Sequence, residues 1–255
     1  MPRTRVARVV TVLTGILAAG SAGLAHAAYR RAIHRARERI AEGSRIAERP
    51  CGPIEYAVAG VGPPVLFVHG AGGGYDQGLD FSRALVDDGL RVIAMSRFGY
   101  LRTPLPADAS AAAQADAHAC LLDALGLSRV AVVGGSAGAP SSLQLALRHP
   151  DRISALVLVV PAAYMLRPDG ASSLRTPAGT QFLFDSALRS DRLFWAATRL
   201  ARRTVTRAIL ATPPEVVEGA GAEERARVAA DLLRRWISAF EILHGLSRDL
   251  NGSVF

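Results

Sequence analysis

Between residues 54 and 160 the chain carries five short apolar runs, too short for buried helices and separated largely by stretches of helical spacing. They are Ile54–Val58, Pro64–Val68, Arg91–Met95, Val130–Val133 and Ala155–Val160, with helical periods over Leu79–Asp88, Ser110–Leu125 and Ala137–Arg148. A continuous β-branched run has no polar face to offer water, so it predicts a strand covered on both sides. Strands of that kind alternating with helices form a largely parallel sheet joined by right-handed crossovers. The expected class is therefore α/β, with a mostly parallel central sheet and flanking helices. The first run alternates as IEYAV and predicts an antiparallel edge strand. Half of the 255 residues are hydrophobic and 20% are charged, which excludes a disordered chain.

The net charge of +8 is unevenly spread, and all 30 basic residues are arginine. Residues 1–50 hold ten arginines against three acids, leaving 20 against 19 in the remaining 205 residues. A body this close to neutral has no phosphate-binding footprint, so no nucleic-acid partner is expected. The basic segment encloses Val9–Tyr29, 21 residues without a formal charge. As a helix this stretch covers about 30 Å, the thickness of a bilayer core. Residues 1–29 thus read as a single-pass membrane anchor in contact with lipid, with a cleaved secretory signal as the alternative, since Ala25-His26-Ala27 fits a small-x-small cleavage site. Arginine lies on both flanks, slightly more of it on the C-terminal side, and leans toward a cytoplasmic body. Residues 30–49 predict a basic amphipathic helical linker. Cys51 and Cys120 are too few for a disulfide-stapled scaffold, and no Cys/His spacing suits zinc, so neither metal nor cofactor is expected.

Ligands of a parallel sheet collect at the carboxyl ends of its strands. The Pro64–Val68 run ends in His69-Gly70-Ala71-Gly72-Gly73-Gly74, the next in Ser96-Arg97-Phe98-Gly99-Tyr100, and Val130–Val133 ends in Gly134-Gly135-Ser136-Ala137-Gly138. Gly-x-Ser-x-Gly between an apolar strand and a helix is the setting of a nucleophile turn: the bend is sharp, and side chains two positions either way would strike the neighbouring elements. Ser136 is the candidate nucleophile. The Ala137 N–H, at the positive end of the following helix, is one candidate oxyanion donor. The glycine loop supplies the second, from Ala71 or alternatively Gly72. Phosphate cradling by that loop is disfavoured, because the chain has no lysine and its glycines do not match the dinucleotide fingerprint.

These motifs, together with Asp116-Ala117-His118, resemble the α/β-hydrolase superfamily, in its esterase, peroxidase-like and C–C-bond hydrolase branch. The resemblance implies a hydrolase core over 50–163 and a helical cap over 164–245, where Phe182, Phe184, Phe194, Trp195, Trp236 and Phe240 would serve as core or pocket lining. It implies a serine hydrolase acting on an ester or related small carbonyl compound, without a metal. The family places its acid and its histidine beyond the cap, whereas residues 246–255 form a short tail, so the expectation is a chain truncated before both. His69 is expected to support the glycine loop. His118 and His149 are expected to be structural, His244 is the one histidine that cap movement could bring over Ser136, and Asp169 could stand in for the acid. Asp76 and Asp80 are expected as caps or loop ties. Two further readings are carried: a non-catalytic, membrane-anchored binding module, and an acyltransferase or perhydrolase on the same serine.

Overall fold

A computed structural model describes residues 2–48, 52–162, 190–200, 219 and 221–223, in two compact units divided between Arg39 and Ile40. Helix α1 runs from Pro2 to Glu42. Its apolar residues Val12, Leu13, Ile16, Leu17 and Leu24 are all exposed. By length and composition it suits a membrane crossing, and a signal sequence meets the same criteria.

The second unit is built on a six-stranded sheet: β1 (Arg45–Ala47), β2 (Ile54–Ala59), β3 (Pro64–Val68), β4 (Arg91–Met95), β5 (Val130–Gly135) and β6 (Ile153–Val159), in the spatial order β1-β2-β4-β3-β5-β6. β1–β2 and β2–β4 pair antiparallel, and the other three pairings are parallel. β2 is antiparallel as expected, but it is not the edge. The helix predicted across residues 30–49 stops at Glu42, and Arg45–Ala47 pair with Ile54–Tyr56 outside β2. Backbone pairing outweighs local helical spacing there.

The continuous apolar runs divide by pleat. Leu66, Val68, Ile93, Met95 and Val132 face one core with Ala115, Leu121, Leu122 and Leu145, from helices α4 (Ala111–Ala124) and α5 (Ala139–Arg148). Phe67, Val92 and Ala94 face the other, with Tyr75, Leu79, Leu85 and Val86 from α2 (Tyr75–Phe81) and α3 (Arg83–Asp87). The spacing predicts a single helix over 79–88, and the structure differs. The helix starts earlier because Gly78 lets α2 lie against β4, where an added Cβ would stand 2.9 Å from the Ala94 Cβ. It breaks at Ser82, whose Oγ donates back to the Gly78 carbonyl at 2.7 Å, a local bond that competes with the helix. α4 is capped by Ser110, which accepts from the Ala113 N–H. Helix α6 (Asp191–Leu200) falls within residues 164–245, the range expected for the cap, and buries Phe194. Most of residues 164–245, and all of 246–255, lie outside the described residues.

Two buried polar groups tie these elements together below the strand ends. Glu55 on β2 is fully buried. Its carboxylate accepts from Ser44 Oγ (2.6 Å), Ser96 Oγ (2.9 Å), the Arg102 N–H (3.1 Å) and Arg102 Nε (2.8 Å). His118 on α4 is also fully buried and reaches Ser141 Oγ of α5 at 3.1 Å.

Removing the carboxylate strands a half-buried guanidinium and two hydroxyls. Glu55→Ala should therefore cost about 3–5 kcal/mol by chemical denaturation, whereas Ser44→Ala, which removes a hydroxyl shared by Glu55, Arg102 and the Ile40 carbonyl but leaves the Glu55–Arg102 ion pair, should cost less, about 1–2 kcal/mol. A pH dependence should accompany this. Burial first, and then the Arg97 charge, lower the pKa values of both His69 and His118 from 6.5 to about 3. The unfolded chain takes up those protons first as the pH falls. Stability should thus be full above pH 6.5 and decline from there toward pH 3, by up to about 1.4 kcal/mol per unit for each histidine. Denaturation midpoints across that range measure the slope.

Candidate active site

β5 is held between β3 and β6, so its carboxyl end lies beside the end of β3. The strand passes directly into a tight 3-10 turn, Ser136–Gly138, before α5. Ser136 has φ +46°, a left-handed conformation that a side-chain-bearing residue adopts at a cost of roughly 1–3 kcal/mol. It is also exposed, in contrast to Gly134 and Gly138 on either side. The flanking glycines have visible causes. A Cβ at Gly134 would stand 2.5 Å from Ser142 Oγ and 3.2 Å from the Ala139 Cα. One at Gly138 would stand 2.5 Å from the Val68 carbonyl oxygen and 2.6 Å from that of His69. The bend therefore presses α5 against β5 and against the end of β3. The chain after β6 closes on the same turn, with the Ala162 N–H donating to the Ser136 carbonyl at 3.0 Å.

The glycine loop meets this bend from the β3 side. An added Cβ on Gly70 would come within 3.1 Å of the Ser136 Cβ. The loop is tied by side chains that sequence reasoning did not single out. Gln77 Oε1 accepts from the Gly70 N–H at 2.9 Å, and Ser96 Oγ accepts from the Tyr75 N–H at 3.1 Å while donating to Glu55. Gln114 Oε1 fixes the neighbouring loop by accepting from the Phe98 N–H at 2.6 Å. The only available signals were a glutamine seven residues past a glycine and a polar residue on the buried face of α4. Asp76 is the loop tie expected, accepting from the Gly74 N–H at 3.0 Å, and Asp80 pairs with Arg83. With the Gly70, Gly74 and Tyr75 amides thus engaged, Ala71 is the exposed residue of the loop, next to Gly72. Ala137, second in the 3-10 turn, is at the helix start, where N–H groups lack intrahelical partners.

The histidines are committed elsewhere. The Arg97 N–H donates to His69 Nε2 at 2.9 Å, which fixes the proton on Nδ1, and Nδ1 donates to the Gly70 carbonyl at 2.7 Å. The ring stacks edge-on against Tyr100, and the Arg97 guanidinium lies 5.2 Å above the same tyrosine. His69 therefore supports the loop, as expected. His118 contacts Ser141 between α4 and α5, and His149 contacts Asp116 Oδ1 at 2.8 Å beside the Arg148–Asp116 ion pair. His26 and His34 belong to α1. His244 and Asp169 lie outside the described residues. No group of three or more His, Cys, Asp or Glu placed to hold a metal ion occurs among the described residues.

The family model for the alpha/beta hydrolase fold matches residues 63–211. Among curated proteins, the uncharacterized hydrolase YcgS of Bacillus subtilis is 36% identical over 107 residues, covering 42% of this chain and 37% of the relative. The 2-hydroxy-6-oxo-6-phenylhexa-2,4-dienoate hydrolase of Comamonas testosteroni is 32% identical over 113 residues, 42% of this chain and 40% of the relative. The matches thus span less than half the length of these relatives. Among solved structures, an alpha/beta hydrolase fold protein from Nakamurella multipartita superposes with a TM-score of 0.53 at 34% identity, over 79% of this chain and 68% of that one. An esterase from Exiguobacterium antarcticum superposes with a TM-score of 0.51 at 18% identity, over 76% and 68%, a likeness of fold alone. With a family match over more than half of its residues, the chain belongs to the α/β-hydrolase fold family.

Proposed function

We propose that the chain is a serine hydrolase acting on esters or related small carbonyl compounds, with Ser136 as its nucleophile. The observation that carries this reading is the left-handed backbone at an exposed Ser136, set where the glycine loop meets the β5–α5 bend. Strain of this kind is kept at a non-glycine residue when the surroundings impose it, and such positions cluster at active sites. In the proposed reaction Ser136 Oγ attacks the carbonyl carbon, the carbonyl π electrons move onto oxygen, and the Ala71 and Ala137 N–H groups donate to the resulting oxyanion. Gly72 is the alternative donor on the loop. Each such donor is typically worth about 3–4 kcal/mol in the transition state. The oxo group in the name of the Comamonas relative's substrate supports a carbonyl electrophile.

The hydroxyl proton must pass to a base with a free lone pair. His69, His118 and His149 are held by structural contacts, so in this reading the base comes from outside the described residues. Those commitments also favour a second reading, a binding module tethered by α1, which keeps the fold and its pocket without turnover. Acyl transfer or perhydrolysis would use the same serine and the same donors, and differs from hydrolysis only in what attacks the acyl group.

A fluorophosphonate probe on the full-length chain separates hydrolase from module. Labelling at Ser136, lost in Ser136→Ala, is the expected result. A folded chain that stays unlabelled, and whose affinity for a carbonyl ligand is unchanged by Ser136→Ala, would establish the module instead. Gly138→Ala should abolish labelling by forcing a Cβ against two backbone carbonyls. Ala71→Gly, which keeps the N–H, should retain labelling within about tenfold, since loosening one donor forfeits only part of the factor of about 10²–10³ that losing it would cost.

A further inference from the structure

Cys120 sits on α4, partly buried, between Ala119 and Leu121 of the core. It is disulfide-bonded. The sequence has two cysteines, so within the chain the partner can only be Cys51, which lies outside the described residues. The core packing around α4 agrees with this pairing. Ile54, the first residue of β2, belongs to the same buried cluster as Ala119, Leu121 and Leu122. Cys51 is three positions before Ile54, a reach of about 10 Å of extended chain. We propose that Cys51 and Cys120 form a structural disulfide, and that the hydrolase body accordingly folds in an oxidising compartment outside the cytoplasm.

The chemistry requires a compartment of that kind. Two thiols lose two protons and two electrons in forming one S–S bond. A disulfide-carrying protein of the thiol–disulfide exchange class accepts the electrons: one cysteine thiolate attacks its disulfide, the second displaces it from the mixed disulfide, and the oxidant leaves as a dithiol. Such oxidants hold extracytoplasmic proteins oxidised, whereas cytosolic thiols are kept reduced. An extracytoplasmic body runs against the orientation suggested by the arginine balance, which differs only slightly between the two flanks. The bond encloses β2, β3 and β4 together with Glu55, the glycine loop and the Ser96 turn. It therefore restrains the unfolded chain across the segment that builds one wall of the candidate site.

The test uses the full-length chain. Cells are quenched with N-ethylmaleimide, the protein is purified without reductant, and its proteolytic peptides are mapped by mass spectrometry. The expected species joins the Cys51 and Cys120 peptides and is two hydrogens lighter than the separate thiol peptides. Recovery of both cysteines as maleimide adducts would overturn the proposal. Reduction should lower the melting temperature of the purified protein by about 4–16 °C. Compartment is read separately, with a reporter cysteine at exposed Ala84 in a chain carrying Cys51→Ser and Cys120→Ser. Because this readout reports location, it holds even if the variant folds poorly. A membrane-impermeant maleimide should label Ala84→Cys in intact spheroplasts, and labelling only after lysis would overturn the proposal.

Discussion

The bend between β5 and α5 depends on two missing side chains. Gly134 yields its space to Ser142 of the helix, and Gly138 yields its space to the carbonyls at the end of β3. Only with both positions empty can the chain reverse within one 3-10 turn, and the reversal places the unfavourable backbone conformation on Ser136. Central position in the sheet makes this tolerable. β5 is hydrogen-bonded to β3 and β6, and the Ala162 N–H grips the Ser136 carbonyl from the far side. A local cost of roughly 1–3 kcal/mol is small against cooperative pairing on both flanks.

The opposite wall is held by side chains. Glycines at 70, 72, 73 and 74 let the loop after β3 approach the serine, but they give it no rigidity of their own. That comes from Gln77 on the Gly70 amide, from Ser96 on the Tyr75 amide, and from Glu55, which orients Ser96. Glu55 lies on the antiparallel strand β2, two strands from β3, yet it reaches the loop through a single hydroxyl. The short strand β1 takes part in the same arrangement, since Ser44 just before it shares the Glu55 carboxylate and contacts Arg102.

Most of this sheet was legible from burial alone. β3 and β4 follow the continuous apolar runs at 64–68 and 91–95 residue for residue, because strands covered on both faces leave no ambiguous polar position. The Gly-x-Ser-x-Gly bend was legible because its glycines answer steric demands made within a few residues. The failures arose where distant partners decide the outcome. Arg45–Ala47 carries too little pattern to announce a strand, and pairing with β2 makes it one. Tyr75–Phe81 was obscured by Gly78, a poor helix residue that is retained for its close approach to Ala94. The Glu55 network joins residues more than 40 positions apart, and a glutamate within an apolar run gives no hint of its four donors.

The buried histidines show how charge is arranged around the loop. His69 lies beneath Gly70, where a second positive charge beside Arg97 would have neither water nor carboxylate to balance it. The Arg97 backbone resolves this by donating to Nε2, and the Gly70 carbonyl accepts from Nδ1, so both ring nitrogens are satisfied in the neutral form. Arg97 keeps the charge and rests it on the face of Tyr100. A histidine in this state is a hinge pin for the glycine loop: it is too weak a base to take a serine proton, and its one lone pair is already used. In the proposed reaction, proton transfer at Ser136 would therefore need a partner with the opposite properties, namely an unshared lone pair, contact with solvent, and a neighbour that stabilises the charged ring. His149 has the Asp116 carboxylate beside it and some contact with solvent, but it follows the last residue of α5, about 15 Å of helix from the Ser136 turn, and His118 is fully buried against Ser141.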